Sequence, residues 1–588
     1  MNHPERLPLA SVSPEREAIQ QWLDRLNHAL DSRKAAELRP LFAPDSHWRD
    51  LLAYTWTIAP HHGAEAIAEA LARHQARALG RHFRISETRL PPRQVVRLGR
   101  QCIEAIIEFD TMLGKGSGIV RLLADQPDQA WVFHTALDEL TGYEERTGKR
   151  RPGTEPYSRN FGGDNWQDQR DKSQAYTDRE PAVLIVGAGQ AGLSLAARLR
   201  QLGVDALVID KHERVGDNWR KRYHSLSLHN QIHVNHLPYM PFPPTWPKYI
   251  PKDMLGHWFE AYTWAMEINV WCGTEFTGGS FDETAHTWTV NLKKADGSTR
   301  TLHPRHLVLA NGVSGIARIP DLPGLKDFKG EVMHSDSFKN GSRWRGKNAL
   351  VLGTGTSAHD VAQDLHSNGV QATLIQRGSS TVVSIDPSAA LNYALYAEGS
   401  LEDCDLIATA ATYPLRVRGY QLAVERMVEF DKDLIDALIR RGFKYDLGED
   451  RTGHQMKYFR RGGGYYLDCG CSGLIIKGEV GLLQYDQIER FVAGGALLKD
   501  GSTVPADLLV LATGYYSQQE LVRRMLGDAV ASRVGQIWGF DADGELANMW
   551  KRTAQEGLWF MAGSLIQCRI YSKYLALQIK AIEEGLLQ

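Results

Sequence analysis

Hydrophobic positions change their spacing several times along this chain. Ile19, Trp22, Leu23, Leu26 and Leu30 recur at helical intervals, as do Ala64, Ile67, Ala68 and Leu71, and each stripe predicts an amphipathic helix. From His82 the pattern shortens to strand-like segments, HFRISETRL, RQVVRLG, CIEAIIEF, GIVRLLA and AWVFHTAL. Helices followed by an antiparallel sheet predict an α+β domain over 1–150. Residues 151–180 have linker composition, rich in Gly, Pro, Asp, Arg, Asn and Gln, although Tyr157, Phe161 and Trp166 suit a segment that wraps a neighbour. Beyond this the apolar residues gather in short continuous runs, Val183 to Val186, LVLANG, NALVL, ATLIQR, ADLLVLATG and LWFMAG. Such runs read as strands buried on both faces. Helical patterns fall between them, to about Leu202, from Leu255 to Ile268 and from Tyr571 to Glu584. Residues from Ile385 to about Arg461 are helical and charged. Prolines and aromatics exclude a long regular element between Leu237 and Pro251.

Two of the buried runs carry chemistry at their ends. The first is followed by Gly187, Gly189 and Gly192 as G-x-G-x-x-G, then a helix, then a second strand ending in Asp210. The glycines permit a tight turn, a close approach of pyrophosphate to the backbone and close helix–strand packing. The free N–H groups and dipole of the helix start favour phosphate. Asp210 stands 18 residues after Gly192, near the spacing of a carboxylate that bonds a ribose hydroxyl. A plain strand–turn–helix leaves that acid unexplained. The pattern repeats at Gly353 and Gly355, with Thr356 and Ser357 opening the helix and Ala358 in the third position. The strand after it ends in Arg377 instead of an acid. A guanidinium there suits a 2′-phosphate, so the second unit is expected to take NADPH; a surface arginine is the bland alternative.

Between the two loops lies FKGEVMHSDSF, with Phe328, Gly330, His334 and Phe338 spaced as F-x-G-x-x-x-H-x-x-x-F/Y. With the two glycine loops before and after it, and the ATGY strand near the end, this resembles class B flavin-dependent monooxygenases over roughly Ala182 to Gln588. NWRKRYHSLSLH and LPYMPFP are similar to the phrasing of the YUCCA type. The helix-then-sheet order of the first 150 residues, with LFAPDSHWRD, resembles the cone-shaped NTF2-like or SnoaL-like domains. The expected class is thus α/β, two Rossmann-like domains for FAD and NADPH preceded by an α+β cone. The expected boundaries are 181–340 for the first part of the FAD domain, 341–500 for the NADPH domain with its helical insert, and 501–588 for the return.

The resemblance implies an NADPH- and O2-dependent monooxygenase acting through a flavin C4a-(hydro)peroxide on a small substrate. Indole-3-pyruvate or a soft nitrogen or sulfur centre is the first expectation and a ketone in Baeyer–Villiger fashion the alternative. It assigns Trp219, His229 and Asn230 to the flavin face, Asn230 only with a one-residue shift from the family's asparagine. His334 takes a hinge or cofactor-positioning role, with direct proton transfer the lesser reading. Thr513 and Gly514 approach the flavin or an interdomain linker. Phe338, where Baeyer–Villiger enzymes usually carry Trp, leans away from that chemistry. Asp45, His47 and His134 are either polar groups of a pocket in the cone or, the favoured reading, satisfied structural residues. Cys469 and Cys471 would serve a disulfide reductase, but C-x-C is tighter than the usual C-x-x-C, and two small structural residues is the simpler account. A non-catalytic sensor is a third class, which the intact glycines oppose.

Composition narrows the partners. Over 588 residues the net charge is −2, which speaks against a dedicated nucleic-acid binder. Six scattered cysteines imply no disulfide framework, which fits a reducing cytoplasm. The opening MNHPERLPLASVSPERE lacks the apolar core of a signal peptide, and no apolar run suggests a membrane span. No metal site is expected. A cone often pairs with itself, so a homodimer is one expectation.

Overall fold

The computed structural model describes residues 13–153, 157 and 160–587. The opening residues read against a signal peptide lie largely outside these, as do five residues of the linker. The first helix, Pro14–Ser32, starts where the Ser13 hydroxyl accepts the Arg16 N–H, an N-cap that satisfies an otherwise orphaned donor. With Ala64–Ala78 it packs on a seven-stranded sheet ordered Ile58–His62, Phe42–Leu51, Gln126–Leu140, Gly114–Leu123, Arg100–Asp110, Arg81–Ile85, with Arg93–Arg97 also on Arg100–Asp110. The sheet is antiparallel as expected except for one pair. Phe42–Leu51 and Gln126–Leu140 run parallel, because they are remote in sequence and no tight turn constrains their direction. Trp22, Phe42 and Phe133 meet with ring centroids 5.7–6.0 Å apart, so aromatic side chains fill the cone. The strand Gly114–Leu123 is buried on both faces almost throughout, because the rest of the chain covers the sheet's outer face.

The linker holds one element that composition does not announce. Trp166–Ala175 is a helix with a complete capping box, Asn165 to Asp168. Its Arg170 donates to Asn269 Oδ1 at 2.7 Å, and Trp271 donates to the Gln174 carbonyl at 2.7 Å, so the linker straps the edge of the next sheet. Tyr157 and Trp166 both reach Glu267, whereas Phe161 is 93% exposed and wraps nothing.

Two five-stranded parallel sheets follow. The first orders Asn269–Trp271, Ala206–Ile209, Val183–Val186, His306–Leu309 and Leu558–Phe560; the second orders Glu331–His334, Leu508–Leu511, Asn348–Leu352, Gln371–Gln376 and Gly481–Gln484. Their central strands are buried but for one terminal residue each, which is why they read as unbroken apolar runs. Glu331–His334 and Leu508–Leu511 hydrogen-bond side by side in the second sheet, although both lie outside the 341–500 expected for the NADPH domain. Neither strand can be assigned to a sheet from its own composition, since both sheets are built from the same kind of run.

The helical stretch inside the second domain contains Leu401–Thr409, Tyr413–Phe430, Lys432–Arg440 and Gly453–Arg461. The closing helix is Leu565–Glu583, beginning six residues before the expected Tyr571. Ser564 and Gln567 form a capping box there, an S-x-x-Q signal that fixes the start. Among the described residues no helix is long and apolar enough to cross a membrane.

Candidate active site

A cavity of about 1050 Å³ opens beyond the carboxyl ends of Val183–Val186 and His306–Leu309, where parallel sheets of this kind place their ligands. Gly187 adopts φ +116°, and a Cβ there would meet the Ala310 carbonyl oxygen at 2.7 Å. At Gly192 a Cβ would stand 1.9 Å from the Gly187 oxygen, so helix and strand pack in contact. Gly189 caps the helix Gln190–Gln201 without a side-chain partner for its first-turn N–H groups, and Gly187, Gly189 and Gln190 line the cavity. The Asp210 carboxylate accepts the Ala188 N–H at 2.8 Å and the His212 N–H at 2.9 Å. It thus braces the loop while facing the same cavity. Asn218 Oδ1 and Asn311 Oδ1 are buried in this wall without a hydrogen-bond partner. Native structures seldom leave such acceptors bare, and a polar nucleotide in the cradle would satisfy them.

The second glycine loop has the same construction. Gly353 adopts φ +131°, and a Cβ would stand 2.6 Å from the Ala512 oxygen. Gly355 caps the helix Thr356–Ser367 with no side-chain bond. Thr356 Oγ1 donates to the Tyr465 carbonyl at 3.4 Å, and Ser357 follows it in the first turn. Arg377 lies exposed just past Gln371–Gln376, and among the described residues its guanidinium has no hydrogen-bond or ionic partner. None of these five residues lines the large cavity; Tyr465, whose carbonyl Thr356 reaches, does.

Trp219, His229 and Asn230 line the cavity together. The Trp219 indole donates to Gln190 at 3.4 Å, and Asn230 Oδ1 accepts from the Tyr393 hydroxyl at 2.9 Å. Burial, helped by Arg222, pushes the His229 imidazole down to about 4, so it is neutral near pH 7. It faces the second domain, where His229, Asp360 and Cys469 bring one ligand atom each within 4.8 Å of one another. Burial pushes the Asp360 carboxyl up to about 6 against the Tyr223 hydroxyl that donates to it.

His334, Thr513 and Gly514 come together elsewhere, in the crossover between the two sheets. The outgoing chain at 316–318 pairs with the returning chain at 514–516: Arg318 N–H donates to the Gly514 carbonyl at 2.9 Å and Tyr516 N–H to the Ile316 carbonyl at 2.9 Å. Thr513 Oγ1 donates to the Arg318 carbonyl. Buried His334 places Nε2 3.1 Å from the Gly514 oxygen, accepts the Asp336 N–H on Nδ1 at 3.3 Å and packs edge-on against Tyr515. None of the three lines the cavity. Phe338 is fully buried, stacked on Trp344 and packed in the core of the second domain.

Beyond the Gly187–Gln190 loop the cavity continues under the helical insert. Tyr393, Arg416, Tyr420, His454 and Phe459 come from the insert, and Trp550 and Tyr571 from the closing segment. Sequence patterns single out none of them. One trace is visible: Arg416, Gly419, Tyr420 and Ala423 share a face of Tyr413–Phe430 at helical spacing, although nothing local says what that face meets. Arg416 stands 3.5 Å from Glu545, which Arg49 of the cone engages with both oxygens at 2.6 and 2.7 Å. Burial alone would raise the Glu545 carboxyl, but Arg49 and Arg416 outweigh it and hold it below the usual range.

The three polar residues of the cone have partners in the structure, and two of them, His134 and His47, meet the insert. His134 is fully buried, with Nδ1 2.8 Å from the Arg49 carbonyl and Nε2 3.0 Å from Thr409 Oγ1 of the insert. His47 lies 3.0 Å from Thr412 Oγ1 and 2.9 Å from the His62 ring. Asp45 pairs with Arg100 at 2.7 Å on the surface. Cys469 and Cys471 are free thiols, the first exposed and the second buried, and the peptide N–H of each donates to the Tyr466 hydroxyl. Burial and nearby Asp360 push the Cys469 thiol up to about 12, and Cys471 is raised as well. Neither is a poised thiolate.

Residues 184–399 match the family described as pyridine nucleotide-disulphide oxidoreductase, and residues 11–89 match a SnoaL-like domain. The chain is 31% identical over 338 residues to indole-3-pyruvate monooxygenase YUCCA1 of Oryza sativa subsp. japonica, covering 57% of this chain and 77% of that one. It is 28% identical over 339 residues to the probable indole-3-pyruvate monooxygenase YUCCA4 of Arabidopsis thaliana, covering 57% and 76%. A crystal structure of cyclohexanone monooxygenase with ε-caprolactone superposes with a TM-score of 0.50 at 17% identity, covering 69% of this chain and 88% of that one. The OTEMO complex with FAD and NADP superposes with a TM-score of 0.50 at 14% identity, covering 69% and 87%. These two show a shared fold. The fold, the order of the motifs and the identity to YUCCA1 agree: preceded by a SnoaL-like domain, this chain belongs to the family of flavin-dependent monooxygenases that includes the YUCCA enzymes.

Proposed function

We propose that the protein is an FAD- and NADPH-dependent monooxygenase that transfers one atom of dioxygen to a small, anionic, aromatic substrate, with indole-3-pyruvate as the first compound to test. One observation carries the reading: a single cavity runs from the Gly187–Gln190 loop to an aromatic chamber under the insert, so a cofactor's reactive end and a substrate can share one space. In this reading Gly187, Gly189, Gly192 and Asp210 hold FAD, while Gly353, Gly355, Thr356, Ser357 and Arg377 hold NADPH. FAD held there would supply the redox chemistry, reduction by NADPH and activation of dioxygen. The chain's own residues do the rest. Backbone N–H groups of the two uncapped helix starts face phosphates. Trp219, Asn230 and Tyr393 fix one wall, and the tyrosines of the insert keep water from the reacting centre.

The preference for an anion comes from charge. Arg416 lines the chamber, and its acidic neighbour Glu545 is already engaged through both oxygens by buried Arg49, so the Arg416 charge is left incompletely matched. The aromatic lining suits an indole or phenyl ring, and the YUCCA relatives are named for indole-3-pyruvate. His334, Thr513 and Gly514 act on the crossover, not on the substrate. Self-association through the outer sheet face of the cone is not part of this reading, since that face is occupied within the chain.

The test is direct. The purified protein should carry or take up FAD and oxidise NADPH in air faster with indole-3-pyruvate than with a thioether, an amine or a cyclic ketone, releasing indole-3-acetate. A protein that binds no FAD on reconstitution and leaves NADPH unchanged would end the proposal. Coupled turnover of a ketone alone would move it to Baeyer–Villiger chemistry.

A further inference from the structure

Among the described residues, the cone contributes one to the large cavity. Leu98 stands among its lining residues, at the tip of the hairpin Arg93–Arg97 and Arg100–Asp110. It adopts φ +55°, followed by Gly99 at φ +82°. A two-residue hairpin turn with both φ values positive ordinarily takes Asn, Asp or Gly, so a leucine here works against its own backbone preference. The helix opposite makes the matching concession. Gly419 lies in the interior of Tyr413–Phe430, where glycine weakens a helix, and a Cβ there would meet Leu98 Cδ2 at 3.1 Å. A strained leucine fits a notch cut by a helix-interior glycine, and both line the chamber.

The hairpin is anchored where it touches. Arg97 binds Glu398 with two guanidinium nitrogens, at 2.7 and 2.8 Å, and Glu104 as well, at 2.7 and 3.0 Å; Arg93 reaches both carboxylates. Glu398 ends the turn Ala389–Ala397, which supplies Tyr393 and Tyr396 to the chamber. Arg89 and the Leu90 N–H hold Asp403 at 2.6 and 3.2 Å.

We infer that the N-terminal domain is a wall of the substrate chamber, and that Leu98 limits the size of the apolar group the chamber accepts. The inference rests on the chamber being the substrate site. Its test is a series of aryl-2-oxo acids with phenyl, indolyl and naphthyl rings, scored by kcat/KM. The matching arylacetates, followed by the flavin absorbance of oxidised holoenzyme, give binding without turnover. Leu98→Ala should raise the naphthyl-to-phenyl ratio about tenfold, the scale on which a few methylenes discriminate in an apolar pocket, and Leu98→Trp should lower it by a similar factor. Val96→Ser, on the same hairpin but 57% exposed, should leave the ratio alone. FAD content and thermal midpoint report that each variant is folded.

If both Leu98 variants fold with full FAD and keep the wild-type ratio in turnover and in binding, the wall is elsewhere. If no oxo acid is turned over but arylacetate binding still shifts with Leu98, the substrate reading fails and the wall stands. Arylacetate binding to neither wild type nor variants would overturn both.

Discussion

At the scale of single residues, two arginines carry charge that the chain's own acids do not fully match. Arg377 is exposed and unpaired among the described residues, at the strand end where a 2′-phosphate would lie in this reading. Arg377→Ala should raise KM for NADPH by one to two orders of magnitude, since a charge-assisted contact contributes about 1.5–3 kcal/mol, and should leave KM for NADH nearly unchanged. Steady-state kinetics with both coenzymes decides it; equal losses place the phosphate elsewhere. Arg416, unlike Arg377, lines the cavity. Arg416→Gln should raise KM about tenfold for a carboxylated substrate and not for its uncharged analogue. The two arginines are not equally visible in the sequence. Arg377 announces itself by standing where the first unit has Asp210. Arg416 is one charge among many in a helical run, and only its approach to Glu545, far away in sequence, gives it meaning.

At the scale of elements, local chemistry is legible in the sequence and pairing is not. The glycine loops can be read because a phosphate cradle is built within one strand–turn–helix, and the clash distances at Gly187, Gly192 and Gly353 show what those positions are spared. The crossover escapes such reading because it forms between segments some 200 residues apart. In the proposed reading His334 acts on the hinge, since its ring meets the Gly514 carbonyl and packs on Tyr515 where the second domain leaves the first. His334→Ala is expected to keep FAD while coupled product formation falls at least tenfold and hydrogen peroxide rises. Unchanged coupling would show that the hinge does not depend on that contact. The start of the closing helix is the opposite case, since its S-x-x-Q box is a purely local signal, masked only by the stronger apolar pattern further on.

At the scale of the whole molecule, the cone is joined to the flavoenzyme by buried charge. Arg49 and Glu545 are 1% and 4% exposed. Removing one partner of such a pair costs about 3–5 kcal/mol, so Arg49→Met should lower the first thermal transition markedly and loosen the cone, seen as proteolysis between 1–150 and the remainder. Acid should act in the same direction. His134 is pushed down to about 3, and His47 and His61 to about 4, mainly by burial. Below the ordinary imidazole value of 6.5 the unfolded chain takes up protons that the folded one refuses, so stability is complete above that pH and declines as pH falls toward 3. Asp50 and Asp360, pushed up to about 6, oppose this between roughly 3.8 and 6 but are outnumbered by buried histidines. A urea midpoint that did not fall between pH 7.5 and pH 5 would contradict this account.

The paired ribbon at 316–318 and 514–516 has a consequence for descent and for engineering. Everything between those two cuts is one uninterrupted cassette whose ends already lie side by side. It carries the arginine proposed to choose the coenzyme and also the helices that roof the chamber. Exchanging the cassette with a relative would therefore transplant coenzyme choice and substrate breadth as a linked pair, while the floor and the N-terminal side stayed with the recipient.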